Sequence, residues 1–202
     1  MELRGLRDRE ILAEIFSRDC YRPPRPIHPK RVLDLGANIG LFSAYALCEL
    51  GAESVVAVEP DPMNLETLEM FVDRNRLPVE IVRACAGTCT GTASFLALAE
   101  ANSRKAKAGE ESIEVPVVDV LDIGPFDLAK IDIEGGEWEL LEDRRFPRLA
   151  RWIVMEWHSR NCPTDSPEDA IQALVQGRGL HIHMGSATAS GGTGYLWLEA
   201  EG

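Results

Sequence analysis

The 202-residue chain lacks the long apolar run of a membrane span, and it is short of positive charge. Lysine and arginine number 21 against 33 aspartate and glutamate residues, so the formal net charge is −12. A membrane-spanning helix needs about 20 consecutive apolar residues, so we expect no membrane partner. An acidic surface repels phosphate backbones, so we expect no nucleic-acid partner either.

Cysteine is also sparse, and its spacing shows no pattern. The five cysteines are Cys20, Cys48, Cys85, Cys89 and Cys162, an odd number without the C-x-x-C pairs typical of zinc ribbons. The first 16 residues mix charges among their apolar positions and lack the uninterrupted apolar core of a signal peptide. Together these features predict reduced thiols in a cytoplasmic protein.

Strand-like and helix-like segments alternate along most of the chain. Short runs rich in β-branched residues cover 31–35, 54–59, 79–84, 128–134, 151–157, 180–184 and 194–199. Helix-like segments cover 39–50, 62–75, 137–146 and 167–178. This alternation predicts an α/β fold, in which a mostly parallel sheet has helices on both faces.

Two features depart from simple alternation. Residues 92–98 and 113–120 predict an extra strand pair before the fourth main strand, with a polar loop at 101–112 between them. The last two main strands are joined by a Gly/Ser/Thr-rich loop, which predicts an antiparallel last strand.

The N-terminal 30 residues differ in character from the rest. Residues 6–18 have apolar side chains at near-helical spacing, and four prolines between 21 and 29 favour an extended connector. We therefore predict an N-terminal helix and proline-rich connector at 1–30, followed by one domain at 31–202.

A glycine-rich turn follows the first strand of the sheet. Gly36 and Gly40 lie between that strand and a helix, where free backbone amides allow a ligand to approach closely. Asn38 stands where a dinucleotide fingerprint has glycine, and Asp34 is an unfavourable neighbour for phosphates. The turn therefore argues against a nicotinamide-dependent dehydrogenase and favours a nucleoside-like ligand that carries positive charge.

A carboxylate ends the second strand. Glu59, followed by Pro60, is placed to accept hydrogen bonds from both ribose hydroxyls of a nucleoside held over the glycine turn. The order of the two motifs thus predicts a nucleoside site at the carboxyl ends of the first two strands.

Charged residues interrupt the fourth and fifth strands. Lys130, Asp132 and Glu134 alternate with apolar residues, and Glu156 and His158 do the same on the next strand. Residues at i, i+2 and i+4 of a strand share one face. Charges on a core strand are costly unless they are paired, hydrated or used, so we predict a functional site at the carboxyl ends of these strands.

Three interpretations of this charged cluster stay open. It is an acid/base site that also orients a substrate, or a structural network between Lys130 and the carboxylates. Alternatively, it is a site for a divalent cation such as Mg²⁺, with the ligands Asp132, Glu134, Glu156 and His158. Glu137 is assigned only to the start of the next helix, where its charge suits the helix dipole.

The ordered motifs VLDLGANIG, VVAVEPDP, VPVVDV, FDLAKIDIEGGEWELL and IVMEWH resemble those of the FkbM-type family of class I S-adenosylmethionine-dependent methyltransferases. The resemblance runs from about residue 31 to residue 158. It implies a Rossmann-like sheet of seven strands in the order 3-2-1-4-5-7-6. It also implies methyl transfer from S-adenosylmethionine, most often to a hydroxyl oxygen of a natural product or sugar.

The resemblance also implies roles for individual residues. The cofactor would be bound by Asp34, Gly36, Ala37, Asn38, Gly40, Glu59, Pro60, Cys85 and Ala86, with the last two against the adenine. The catalytic set would be Lys130, Asp132, Glu134, Glu156 and His158. The predicted function is therefore O-methylation of a small-molecule acceptor. The alternatives are an N-methyltransferase and a noncatalytic scaffold domain with the same fold, and the sequence assigns no oligomeric state.

Overall fold

The structure is a computed structural model that describes residues 3, 5–17, 20–96, 104–105, 112–187 and 192–201. Most of the predicted polar loop at 101–112 and the last two residues of the predicted strand at 92–98 lie outside the described residues. The helices are α1 (Leu6–Phe16), α2 (Leu41–Cys48), α3 (Pro62–Asn75), α4 (Glu137–Glu142) and α5 (Pro167–Val175). None of the described helices is both long enough and apolar enough to cross a membrane.

Seven strands form the main sheet. They are β1 (Arg31–Leu35), β2 (Ser54–Val58), β3 (Val79–Val82), β8 (Phe126–Ile131), β9 (Ala150–His158), β10 (Leu180–Ala187) and β11 (Thr193–Ala200). Their spatial order is β3-β2-β1-β8-β9-β11-β10, and β11 is antiparallel to both of its neighbours. The predicted strand order and the antiparallel last strand are confirmed.

A second sheet contains β4 (Cys85–Gly87), β5 (Gly91–Leu96), β6 (Arg104–Lys105) and β7 (Ile113–Asp119), in the order β4-β7-β5-β6. The antiparallel pairing of β5 with β7 confirms the predicted extra pair. The strand predicted at 79–84 ends at Val82, because the amide of Ala84 donates to the carbonyl of Val82 in a turn. The chain then pairs with β7 in the second sheet.

The fourth main strand is shorter than predicted. β8 ends at Ile131 rather than at residue 134, because Glu134 and Gly135 adopt positive φ angles of 55° and 98° and turn the chain. The prediction that Lys130, Asp132 and Glu134 share one strand face is therefore wrong for Glu134. The segment after Ile131, residues 132–136, is called the acidic turn below.

Another boundary differs at α4, which ends at Glu142 rather than at residue 146. Asp143 is extended, with φ −66° and ψ 134°, and a short 3₁₀ helix at Phe146–Arg148 follows. Pro147 has no amide hydrogen to donate, so the α-helix cannot continue through it.

Both faces of the main sheet are buried. Along β1, Val32 packs on the face covered by α1 and α2, whereas Leu33 packs on the face covered by α4 and α5. Both side chains are completely buried, as expected for a parallel sheet between two helical layers. The carboxyl ends of the central strands therefore form one edge where side chains can meet.

The proline-rich connector is attached to the sheet. Arg25 donates from Nη2 to Oε1 of Glu199 at 2.6 Å, and its guanidinium lies 4.9 Å from the ring centre of Trp152. Tyr21 is buried, with its ring edge-on to those of Phe42 and Tyr195. The connector thereby brings Tyr21 to the same edge as the strand ends.

Candidate active site

A cavity of about 1050 Å³ lies over the carboxyl ends of the central strands. Its walls include the glycine turn after β1, the end of β2, β4, the acidic turn and the end of β9. Helices α1 and α4 and the start of β11 complete them. The cavity therefore joins the predicted nucleoside site to the predicted charged cluster in one space.

The glycine turn approaches the acidic turn so closely that a side chain does not fit between them. Gly36 has φ +74°, and a Cβ built on it would lie 1.8 Å from the carbonyl oxygen of Asp132. A Cβ on Gly40, at φ +88°, would lie 2.7 Å from Leu68. Gly36 is thus required by space as well as by backbone conformation, whereas at Gly40 the positive φ is the main constraint because the Leu68 side chain can move.

Lys130 lies beneath the glycine turn and supports it. Its Nζ donates to the carbonyls of Leu35 at 3.2 Å and Gly36 at 2.8 Å. It also lies 3.3 Å from Oδ1 of Asp34 and 3.8 Å from Oδ2 of Asp132. Burial alone would lower the pKa of Lys130, but the nearby carboxylates, Asp34 first, raise it above its usual value. The ammonium therefore stays charged.

Asp34 is completely buried. Its Oδ2 accepts from the Ser43 hydroxyl at 2.7 Å, and its Oδ1 faces Lys130. It is not among the described residues that line the cavity, and neither is Gly40. In the structure, both residues shape the turn from beneath, while Gly36, Ala37 and Asn38 face the cavity.

Glu59 connects the end of β2 to the glycine turn. Its Oε2 accepts from the amide of Asn38 at 2.7 Å. Its Oε1 accepts from the amide of Asp61 at 2.8 Å and from Nδ2 of Asn64 at 3.3 Å. Burial raises the pKa of Glu59 to about 7, although these hydrogen bonds act in the opposite direction. The carboxylate lines the cavity, as do Pro60, Cys85 and Ala86.

The charged residues predicted from the strand pattern meet at the other end of the cavity. All five of them line it: Lys130, Asp132, Glu134, Glu156 and His158. One ligand atom from each of Asp132, Glu134 and His158 lies within 4.8 Å of the other two. Glu156, the fourth predicted metal ligand, does not belong to this group of three.

Glu137 orients His158, a role that sequence reasoning missed. Its completely buried carboxylate accepts from the amide of Gly135 at 2.8 Å and from the amide of His158 at 2.7 Å. Its Oε1 also lies 2.8 Å from Nδ1 of His158, which leaves Nε2 facing Oε2 of Glu134 at 3.5 Å. The only sequence signal is a carboxylate directly after two glycines, at a turn that folds back over the strand end.

The surroundings of His158 favour its charged form. Burial lowers the pKa, but the hydrogen bond and the charge of Glu137 outweigh it, and the pKa rises to about 9. At neutral pH the imidazolium therefore donates a hydrogen bond from Nδ1 to Glu137 and forms an ion pair with Glu134 through Nε2. The groups that can accept a proton in this half of the cavity are carboxylates.

Two tyrosines from distant parts of the chain hold Glu156, and neither was predicted as a site residue. The Tyr21 hydroxyl donates to Oε2 of Glu156 at 3.2 Å, and Tyr195 also hydrogen-bonds to this carboxylate. Burial raises the pKa of both phenols, so both remain donors. Burial and then the charge of Asp132 raise the pKa of Glu156 to about 8.

The last wall of the cavity is the N-terminal helix. Arg7, Ile11, Glu14 and Ile15 of α1 line it, and Ile11 and Ile15 pack with Leu41 and Phe42 at the start of α2. The segment that the sequence set apart from the main domain thus contributes directly to the site.

A seven-stranded sheet in this order, with a glycine turn and a strand-end carboxylate around one cavity, defines a Rossmann-like class I methyltransferase fold. The chain belongs to the family described by the methyltransferase FkbM domain, whose family model matches residues 34–180. The resemblance read from the sequence motifs is confirmed.

Two relatives illustrate the breadth of the similarity. The FkbM 31-O-demethyl-FK506 methyltransferase of Streptomyces tacrolimicus is 27% identical in an alignment of 217 positions that spans 85% of this chain and 81% of the relative. A ubiquinone biosynthesis O-methyltransferase of Methylocella silvestris is 37% identical over 78 residues, 39% of this chain. That match spans 29% of the Methylocella protein.

Solved structures share the fold at low sequence identity. The FkbM methyltransferase of Methylobacillus flagellatus superposes with a TM-score of 0.57 and 19% identity, over 83% of this chain and 43% of that one. A Streptococcus pneumoniae protein assigned as a tRNA methyltransferase, in complex with S-adenosyl-L-methionine, superposes with a TM-score of 0.55 and 13% identity. The superposition with the Streptococcus structure covers 95% of this chain and 71% of the Streptococcus chain.

Proposed function

We propose that this protein transfers a methyl group from S-adenosylmethionine to a hydroxyl oxygen of a small molecule. The observation that carries the proposal is the single cavity that joins the glycine turn and Glu59 to the acidic turn and His158. The names of two relatives, both O-methyltransferases, support the oxygen acceptor.

The residues of the nucleoside half fit the cofactor. Glu59 faces the cavity with a carboxylate whose lone pairs can take further donors, such as two ribose hydroxyls. Cys85 and Ala86 are small and buried, which suits the flat face of adenine. The sulfonium supplies an electrophilic methyl group, so the protein's contribution is alignment and management of the acceptor proton.

In the acceptor half, we assign Asp132 as the base. It lies at the end of β8 directly beside Gly36, and its amide donates to the carbonyl of Leu35 at 3.1 Å. Lys130 holds the backbone beneath it, and the His158 imidazolium orients the acceptor oxygen as a donor. Glu156, held by its two tyrosines, forms the opposite side of the acceptor site.

A second mechanism uses a divalent cation. The observation that favours it is that ligand atoms of Asp132, Glu134 and His158 lie within 4.8 Å of one another. Carboxylate oxygens and imidazole nitrogens are ligand types that bind divalent metals. Such a cation would hold the acceptor oxygen and lower its pKa. Turnover after exhaustive EDTA treatment, measured with and without added Mg²⁺, separates the two mechanisms.

Calorimetry with S-adenosylhomocysteine tests the first requirement of the proposal. We expect binding in the micromolar range, and no binding at high micromolar concentration would contradict the proposal. A screen of small hydroxylated compounds for S-adenosylhomocysteine release then tests turnover. Products methylated on nitrogen would redirect the proposal to N-methylation, and binding without any turnover would favour the scaffold alternative.

A further inference from the structure

If the proposed function holds, the cavity must accommodate the three groups on the cofactor's sulfur: the adenosyl group, the methyl group and the amino-acid chain. The adenosyl group belongs beside Glu59, Cys85 and Ala86, and the methyl group must point to the acidic turn. The remaining substituent is the amino-acid chain, which carries a carboxylate and an ammonium. Helix α1 is the lining helix that packs beside the glycine turn.

One face of α1 presents opposite charges to the cavity. Arg7, Ile11 and Glu14 line it together, at the spacings i, i+4 and i+7 that share a helix face. Ile11 and Ile15 pack against Leu41 and Phe42, which follow the glycine turn. This packing places the charged face beside the turn that would carry the cofactor.

The other basic residues in the cavity wall are paired with carboxylates or lie in the acceptor half. Among the described residues, the basic side chains that line the cavity are Arg7, Lys130, His158 and Arg160. Lys130 is buried beneath the glycine turn on two carbonyls and Asp34. His158 lies between Glu137 and Glu134, and the charge of Arg160 acts on Glu134 in the acceptor half.

Arg7 has the freedom that a ligand-binding side chain needs. Its side chain is 52% exposed, and its ion pair with Glu10 is 3.6 Å long within one turn of the helix. Exposed pairs of this kind contribute little to stability, so the guanidinium can exchange Glu10 for a carboxylate in the cavity at low cost. A guanidinium binds a carboxylate through two parallel hydrogen bonds.

We propose that α1 binds the zwitterionic end of S-adenosylmethionine, with Arg7 on its α-carboxylate and Glu14 on its α-ammonium. Helix α1 is then a structural part of the cofactor site rather than a separate N-terminal element. Both residues precede the segment matched by the family model, which begins at residue 34. The assignment therefore rests on this chain's own contacts.

Two ligands that differ only in the amino-acid end test the assignment. S-adenosylhomocysteine carries the zwitterion, and 5′-methylthioadenosine keeps the adenosine and thioether without it. Calorimetry should show about tenfold weaker binding of S-adenosylhomocysteine to Arg7→Gln and to Glu14→Gln, with Arg7→Lys intermediate. Binding of 5′-methylthioadenosine should be unchanged. Arg9→Gln is the control, because Arg9 is exposed on the same helix and is not a lining residue.

Each outcome separates this inference from the proposed function. Unchanged affinity of both variants for S-adenosylhomocysteine would overturn the inference and leave the proposed function intact. An equal loss for both ligands would also overturn it, because the substitution would then act on the fold of α1. Failure of the unmodified protein to bind S-adenosylhomocysteine would contradict the proposed function itself.

Discussion

The Glu59 carboxyl, in the half of the cavity proposed to bind the cofactor, titrates near neutral pH. Its pKa is raised to about 7 by burial, whereas two ribose hydroxyls bind best to the ionised carboxylate. Affinity for S-adenosylhomocysteine should therefore rise as pH increases through 7, by about tenfold between pH 6 and pH 8 for a single group of this pKa. Calorimetry across this range measures it.

The control for this pH dependence is Glu59→Gln, which is neutral at every pH. Its affinity for S-adenosylhomocysteine should be weak and nearly constant between pH 6 and pH 8. A pH dependence that persists in this variant would assign the titration to another group of the cavity.

Asp132 is the residue whose loss should separate binding from chemistry. Asp132→Asn keeps the side-chain shape and the backbone hydrogen bond to Leu35. The amide cannot take up the proton that the substrate hydroxyl loses. We expect affinity for S-adenosylhomocysteine within about twofold of the unmodified protein, and a rate lower by about 10²- to 10⁴-fold. If cofactor binding and turnover disappear together, Asp132 is part of the cofactor site instead.

Glu137 should control the charge of His158. In Glu137→Gln the hydrogen bond to Nδ1 remains possible but the negative charge is gone, so the pKa of His158 should fall from about 9 toward its ordinary value. Proton NMR titration of the imidazole measures this directly. Glu168→Gln, an exposed change on α5, is the control and should leave the titration unchanged.

The sequence pattern identified some of these residues and missed others for a physical reason. Asp132, Glu156 and His158 were predictable because a charge on a buried strand stands out locally. Tyr21 meets Glu156 across 135 positions of sequence, so no local pattern records the contact. Glu137 looked like an ordinary residue of a helix start, because its partners are backbone amides that only tertiary folding brings near.

At the scale of elements, the pattern predicted the type of each strand and helix better than its end. The mostly parallel sheet followed from the alternation of strands and helices, and the order of its seven strands was implied by the family resemblance. The end of β8 depends instead on positive φ angles at Glu134 and Gly135, and the end of α4 on the extended Asp143 before Pro147. Such ends reflect local turns that periodicity does not encode.

The contact between the glycine turn and the acidic turn predicts a large effect of one methyl group. In Gly36→Ala the new Cβ would lie 1.8 Å from the carbonyl of Asp132, so the two turns must separate. We expect destabilisation of at least about 2 kcal/mol and loss of S-adenosylhomocysteine binding, measured by urea unfolding and calorimetry.

Gly51→Ala provides a matched control for this prediction. Gly51 has a similar φ of +71°, but a Cβ there would meet nothing within 4 Å. Its effect isolates the cost of the backbone conformation. Equal destabilisation by the two substitutions would show that the close approach of the turns contributes nothing.

At the scale of the whole molecule, the site should make stability fall as pH rises. Burial raises the pKa of Glu59 to about 7 and, with the charge of Asp132, that of Glu156 to about 8. A carboxyl whose pKa is raised by folding stabilises the protein while protonated, and this contribution is lost between about 4.5 and the raised value. The pKa of His158 is raised from 6.5 to about 9, so its stabilising contribution is complete below about pH 6.5 and is lost as pH rises to about 9.

These groups all change stability in the same direction, so the midpoint of thermal unfolding should be higher at about pH 6 than at about pH 8.5. Differential scanning calorimetry at the two values checks it. The double variant Glu59→Gln and Glu156→Gln should show a smaller difference. A higher midpoint at the alkaline value would contradict the assignment of raised pKa values to these buried carboxyls.

The contact between Gly36 and Asp132 also limits how the site can diversify. Lys130 holds the glycine turn by its carbonyls and lies beside Asp132, so the cofactor support and the assigned base form one rigid unit. The distance from methyl donor to base is then set by backbone contacts that tolerate no added atom. Adaptation to a different acceptor must come from walls outside both this unit and the proposed cofactor site, namely Tyr21 and the start of β11. Exchanging those segments between relatives should change which acceptor is used while the methyl-transfer geometry stays constant.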